Sequence, residues 1–422
     1  MAQQQIAASI FDINLRARKA TLVALAVLVV VLTVVPTALA QTLTVLHLFN
    51  GRPDGDQPIA GVTMDAAGNL YGTTYYGGAN GVGLVYKLAH RGSGWVLSSL
   101  YSFQGGHDGS APVGGVTIGS DGNLYGTTST GGQHGAGTVY KLSPPASVCK
   151  AFLCPWTETL LYQFTGGADG GTPDAAVIFD RVGNLYGTTG GGGTGDNGVV
   201  FKLTPSGSGW TESVLYSFAG SPDGAGPFSA VTFDNSGNLY GTTTGGGTGF
   251  GTVYQLTPSG SGWTEKVLYA FQNSDDGAIP YAGVVLDPDG NLYGATFYDG
   301  AHDGGAIFEL MPSNGSWIFS VIYSPLVGLG GPAGTLARSS TGTLYGTLFS
   351  GGGEGCSGYG CGSVFQLSPS NGGWEYTSLY NLNDGDDGGN PEGGLILDSA
   401  GNLYGTTTGV LGGNGSVFEI TP

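Results

Sequence analysis

The sequence is poor in positive charge: 12 Lys and Arg stand against 30 Asp and Glu, for a formal net charge of −18. A surface of that sign repels nucleic acid and anionic lipid, so cations or neutral polymers are the better candidate partners. Acidic residues that merely keep an aromatic-rich protein soluble explain the charge equally well. Histidine is scarce, and His47, His90, His107, His134 and His302 show no metal-ligand spacing. After residue 40 no stretch is long and apolar enough to cross a bilayer, and none has convincing helical periodicity. The glycine-rich loops precede strands, so they lack the helix N-terminus of a phosphate cradle. What is abundant is glycine, at 83 residues, with 22 Tyr and 18 Phe.

The first forty residues stand apart. Arg16, Arg18 and Lys19 precede the apolar run "TLVALAVLVVVLTVV", and "PTALA" offers a cleavage site before Gln41. This reads as a signal peptide over 1–40, with a retained N-terminal membrane anchor as the alternative. Cleavage would remove three basic residues and one acidic residue and take the formal charge from −18 to −20. The expected product, 41–422, is a secreted or extracellular monomer, periplasmic or associated with the cell surface, with no membrane span.

Only four cysteines are present, as two tight pairs: Cys149 with Cys154 and Cys356 with Cys361. An even count in an exported chain favours two local disulfides. Zinc is the weaker rival, because neither pair has a histidine nearby.

The stretch "NLYGT" recurs. Its tyrosines are Tyr71, Tyr125, Tyr186, Tyr240, Tyr293, Tyr345 and Tyr404, spaced 54, 61, 54, 53, 52 and 59 residues apart. The two long spacings hold the cysteine pairs, which therefore lie in loop insertions. Each unit reads as four short strands, such as "GGVTIG", "NLYGTT", "GTVYKL" and "WTETLLYQF" in the second copy. A four-stranded antiparallel unit repeated seven times predicts an all-β, seven-bladed β-propeller forming one domain over 41–422. A β-helix or an open row of sheets is the alternative. Closure is favoured because the chain supplies an orphan fourth strand at 42–49 and a last unit with three strands, ending in "GSVFEI". The N-terminal strand is expected to complete the last blade and remove an open sheet edge. The seven tyrosines are then inter-blade packing residues rather than catalytic phenols.

The pattern "LYSF…DG…P…D..GNLYGTT…GG…G.V(F/Y)KL" resembles the GloVer-type tandem repeat of exported bacterial proteins, over essentially all of 42–422. The resemblance implies a secreted or surface repeat protein with no established chemistry and brings no catalytic residues. The varied C-terminal anchors of that family have no evident counterpart here.

A second motif lies 17 residues before each tyrosine. Asp54, Asp108, Asp169, Asp223, Asp276 and Asp387 open "DG…P" turns, with Gly328 in the sixth unit. These loops and the glycine-rich loops after "NLYGTT" emerge on one face, so six acids are expected to ring it. They are candidate ligands for calcium or for a cation-bridged polysaccharide. The other reading is a turn in which the carboxylate accepts backbone N–H bonds. Asp65, Asp180, Asp234, Asp287 and Asp398 mark turns on the opposite face, with Gly119 and Arg338 as exceptions. Trp95, Trp156, Trp210, Trp263, Trp317 and Trp374 each open an outer strand. They read as clasps between strands, or as platforms for sugar rings.

An enzyme needs residues that break the repeat. The asymmetric stretches are "NDGDDGGNPEGG" (383–394), "YDGAHDGG" (298–305) and the cysteine insertions. None contains a recognisable acid/base or nucleophile arrangement. The sequence therefore favours a binding or structural module for a glycan, a cation or a surface protein. A propeller-fold polysaccharide lyase or hydrolase is the alternative.

Overall fold

The computed structural model describes residues 41–421 apart from 93, 146–155, 327–329, 354–355, 384, 386 and 411–412. The leader and the Cys149/Cys154 pair lie outside the described residues. Seven four-stranded antiparallel sheets form the blades of a seven-bladed β-propeller. In blade 1 the strands run from the axis outward as Thr63–Met64, Leu70–Thr74, Leu84–Arg91 and Gly94–Ser102. Blade 7 consists of Ile396–Leu397, Leu403–Thr407 and Ser416–Thr421, with Thr42–Leu48 as its outer strand. That last pairing runs from Thr42 opposite Thr421 to Leu48 opposite Ser416. The N-terminal strand closes the ring as the sequence predicts. Among the described residues, no helix is long and apolar enough to cross a membrane.

The core is divided among seven clusters, each shared by two adjacent blades. The leucine, tyrosine, glycine and threonine of "NLYGT" each have a separate task in that arrangement. The leucine is buried in every blade. The tyrosine is buried in six blades and partly buried at Tyr345. The glycine lies directly across the sheet from an aromatic residue of the third strand, as Gly72 does from Tyr86 and Gly187 from Phe201. A Cβ at these seven glycines would sit 2.4–2.6 Å from the facing ring, so no larger residue fits without displacing it.

The first threonine reaches into the next blade. Thr73 donates to the Gly114 carbonyl at 3.2 Å, Thr188 to Ser229 at 2.9 Å and Thr242 to Ala282 at 2.8 Å. Thr406 makes the equivalent bond to Ala60 at 2.9 Å, across the seam between blades 7 and 1. Blade 5 has Ala295 at this position and lacks the hydroxyl.

Candidate functional site

The repeat builds a rigid frame around the axis at the face carrying the "DG" turns. In each blade the residue that follows the second strand ("LYGTT" or its variant) donates its backbone N–H to the carbonyl of the residue preceding the proline. Tyr75 to Gln57 (2.9 Å), Ser129 to Ala111 (3.0 Å), Phe297 to Ile279 (3.2 Å) and Thr408 to Asn390 (3.1 Å) are examples. Most of the acceptor residues adopt the left-handed conformation, including Thr172 at φ 58° and Ile279 at φ 56°. Branched side chains disfavour that region. Their N–H groups are tied to the preceding blade, Thr172 to the Ala136 carbonyl at 2.8 Å and Ile279 to Phe250 at 2.9 Å.

This frame is repeated, but the side chains it presents are not. The residue after the proline is Ile59, Val113, Asp174, Phe228, Tyr281, Ala333 and Glu392 in blades 1 to 7. All seven line one cavity of about 520 Å³, together with Phe297, Tyr298 and Phe349. The result is a funnel with an aromatic arc over blades 4 to 6, flanked by an acid on blade 3 and another on blade 7. Phe297 stands at the centre of the arc. Its ring is edge-on to Tyr281 (5.6 Å, 83°), Tyr298 (4.8 Å, 86°) and Phe349 (5.6 Å, 64°). Tyr281 and Tyr298 remain 43% and 44% exposed, so their rings are available to a ligand. Gly190 leaves the space that the Phe228 ring occupies, since a Cβ there would lie 2.2 Å from that ring.

The two acids are partly buried and hold their protons more tightly than free carboxylates. Burial raises the pKa of Asp174 to about 6. The nearby Ser129 hydroxyl offsets part of that rise without reaching hydrogen-bond geometry, and Asp174 Oδ1 and Ser129 Oγ are both buried without a partner. Burial also raises Glu392, opposed by the Thr408 hydroxyl that donates to its Oε1 at 3.3 Å.

The six rim aspartates do not enter the funnel lining; each is engaged within its own turn. Asp108, Asp169 and Asp223 accept a tyrosine hydroxyl at 3.0 Å from Tyr101, Tyr162 and Tyr216. Asp276 accepts from Tyr269 at 2.8 Å and Asp387 from Tyr380 at 3.1 Å. His47 replaces the tyrosine at Asp54, at 3.1 Å. Each also accepts the backbone N–H of the residue four positions earlier, as Asp223 does from Ala219 at 2.8 Å. Among the described residues, no three His, Cys, Asp or Glu side chains gather closely enough to hold a metal ion.

On the opposite face a second belt of aspartates receives the hydroxyls of the "NLYGT" tyrosines: Tyr71 to Asp65 at 3.0 Å, Tyr186 to Asp180 at 3.2 Å and Tyr240 to Asp234 at 3.2 Å. Where blade 2 has Gly119, Asp121 takes over and accepts from Tyr125 at 2.7 Å. Two clefts of about 520 and 570 Å³ lie between these turns around Asp180, Arg181 and Val182. Cys356 and Cys361 are disulfide-bonded. His107, His134 and His302 are exposed and absent from the funnel lining.

The sequence reading missed the funnel because it followed what repeats. The signal lay in what does not: the position after the proline runs Ile, Val, Asp, Phe, Tyr, Ala, Glu between constant neighbours. The asymmetric stretches 298–305 and 383–394 do reach the site, through Tyr298 and Glu392.

The Gloeobacter/Verrucomicrobia repeat family matches this chain over residues 33–158 and again over 153–358. Among curated proteins none matches. Among solved structures, a candidate 6-phosphogluconolactonase from Bacteroides uniformis is 14% identical, with a TM-score of 0.51 over 80% of this chain and 88% of that one. The extracellular domains of two candidate hybrid two-component systems from B. thetaiotaomicron are 12% and 11% identical, each with a TM-score of 0.51. They align with 90% and 88% of this chain, which spans only 41% and 39% of theirs. At such identities the likeness is one of fold.

Proposed function

The chain belongs to the Gloeobacter/Verrucomicrobia repeat family, and from that premise we propose that it is an exported binding module whose ligand enters the funnel on the axis. Export is supported by the leader-like residues 1–40 and by the Cys356–Cys361 disulfide, which suits an oxidising compartment. The observation that carries the binding reading is the contrast between frame and lining. Seven copies of one backbone hydrogen bond present seven side chains of which no two are alike. A fold needs the first; a ligand of definite shape needs the second. Apolar walls with a few convergent polar groups are the usual make-up of a small-molecule site.

The test is a thermal-shift panel of oligosaccharides, organic cations and calcium on the purified protein. A ligand that binds only the native state must raise the melting temperature, by RT ln(1 + [L]/Kd) in free energy. A flat response across the panel at millimolar concentrations would remove the support for a small-molecule site.

One observation favours an enzyme that cleaves polysaccharide: the funnel holds two carboxyl groups whose pKa values burial has raised. On that reading Asp174 acts as a general acid, and Asp174→Asn abolishes turnover while leaving substrate binding intact. Polysaccharide binding with no product release from the unaltered protein would exclude it.

A further inference from the structure

We propose that the funnel accepts an ammonium-bearing organic ligand, its cationic head seated against the exposed rings of Tyr281 and Tyr298, which the buried Phe297 buttresses, between Asp174 and Glu392. This deepens the reading of the funnel as the binding site and rests on it.

The ring geometry is the first reason. Phe297 meets Tyr281 and Tyr298 at 83° and 86°, so neighbouring rings form walls at right angles rather than a flat platform. Flat platforms suit the face of a sugar. Tyr281 and Tyr298 rise as exposed walls from the buried Phe297 ring, and aromatic walls are how cages hold quaternary ammonium groups.

The hydrogen-bonding inventory is the second reason. Among the described residues the lining contains no Lys, Arg, His, Asn or Gln. Its polar side chains are two carboxyls and the Tyr281 and Tyr298 hydroxyls. A sugar hydroxyl is both donor and acceptor; the two carboxyls can accept from it, but the lining offers few donors in return. A quaternary ammonium head brings positive charge and asks for no donor from the lining, and Asp174 Oδ1 is a buried carboxyl oxygen with no hydrogen-bond partner. The third reason is the field: a chain of net charge −18 concentrates cations at its surface. A cation between the two acids also compensates the burial that now favours their neutral forms.

The experiment is calorimetric titration of the purified protein with choline, phenyltrimethylammonium and 3,3-dimethylbutan-1-ol, the last being the uncharged isostere of choline. The ammonium probes are expected to bind at least about tenfold more tightly than the isostere, the discrimination that cation–π contacts and charge supply together. Tyr281→Ala and the pair Asp174→Asn with Glu392→Gln should each weaken the ammonium probes while unfolding curves show the variants folded. Ala333→Trp, which fills the funnel from blade 6, is a second route that leaves cage and acids untouched and should abolish binding. Equal affinity for choline and its isostere, or no heat from either ammonium at about 10 mM, overturns the proposal. An oligosaccharide that binds instead and is blocked by Ala333→Trp overturns the ligand class but keeps the funnel. Binding of any probe that survives Ala333→Trp overturns the funnel itself.

Discussion

Trp95 stands edge-on to Tyr404, ring centroids 6.5 Å apart, and so joins the first blade to the last. The same contact recurs between neighbours around the ring: Trp210 with Tyr125 at 6.5 Å, Trp263 with Tyr186 at 6.4 Å, Trp317 with Tyr240 at 6.0 Å and Trp374 with Tyr293 at 5.7 Å. Trp156 packs in the cluster that contains Tyr71. The outer strand of blade 7 has no tryptophan, and Leu43 packs in the cluster with Tyr345. Each tryptophan thus clasps the tyrosine of the preceding blade, and edge-to-face pairs add about 0.5–1.5 kcal/mol beyond area burial.

Removing one clasped tyrosine should loosen an entire blade interface. Tyr186→Ala is expected to cost about 3–5 kcal/mol, as buried aromatic truncations do, with loss of the bond to Asp180 included. Denaturant unfolding measures it. An unchanged midpoint would show that the ring does not carry the interface.

The repeat glycine makes the opposite prediction, of overfilling. Gly241→Ala places a Cβ 2.4 Å from the Tyr254 hydroxyl end of a fully buried ring. Overpacking of this kind costs about 1–3 kcal/mol. Pairing it with Tyr254→Phe, which retracts the clashing oxygen, should recover part of the loss; failure to recover any would place the strain elsewhere.

Glu158, Glu212 and Glu265 on outer strands make stability depend on pH. Burial, and then the charge of Asp108, Asp169 and Asp223 respectively, raises each glutamate to about 7 from 4.5. Their Oε1 atoms are buried without a partner. Between pH 4.5 and 7 the unfolded chain ionises these groups while the folded one keeps them protonated, so their contribution to stability falls as pH rises and levels off above 7. Glu212→Gln, which removes the charge and keeps the shape, should raise the melting temperature at pH 8 and change little at pH 4.5. A melting temperature for the variant that tracks the parent at both pH values would contradict the assignment.

The rim aspartates bear on calcium. Asp223 caps its turn through Ala219 N–H and Tyr216 hydroxyl, at 2.8 and 3.0 Å. As a turn cap, Asp223→Asn should cost about 1 kcal/mol, with the same loss in calcium and in chelator. A loss seen only with calcium present would make the rim a metal site.

How much of this was legible depends on which residues repeat. The seven copies of the "NLYGT" unit, two of them varied at Ala295 and Thr343, specify blade number, and the orphan strand at 42–49 specifies closure, because both follow from periodicity and strand counting. The partners of the polar groups were harder to read. Nothing local announces that Thr406 bonds to Ala60 across the seam, or that Asp121 replaces the missing acid at Gly119. The funnel was hidden for another reason. Ile59, Asp174 and Tyr281 are far apart in the chain and unlike in chemistry, and only the ring geometry shows that they occupy one position.

The measurement that tests the central claim most directly is the thermal-shift panel repeated on Ala333→Trp and on Asp223→Asn. If the funnel is the site, every ligand-induced rise in melting temperature disappears when the tryptophan fills it and persists when the rim aspartate is changed. A shift that survives Ala333→Trp and vanishes with Asp223→Asn would move the site to the rim and contradict the account.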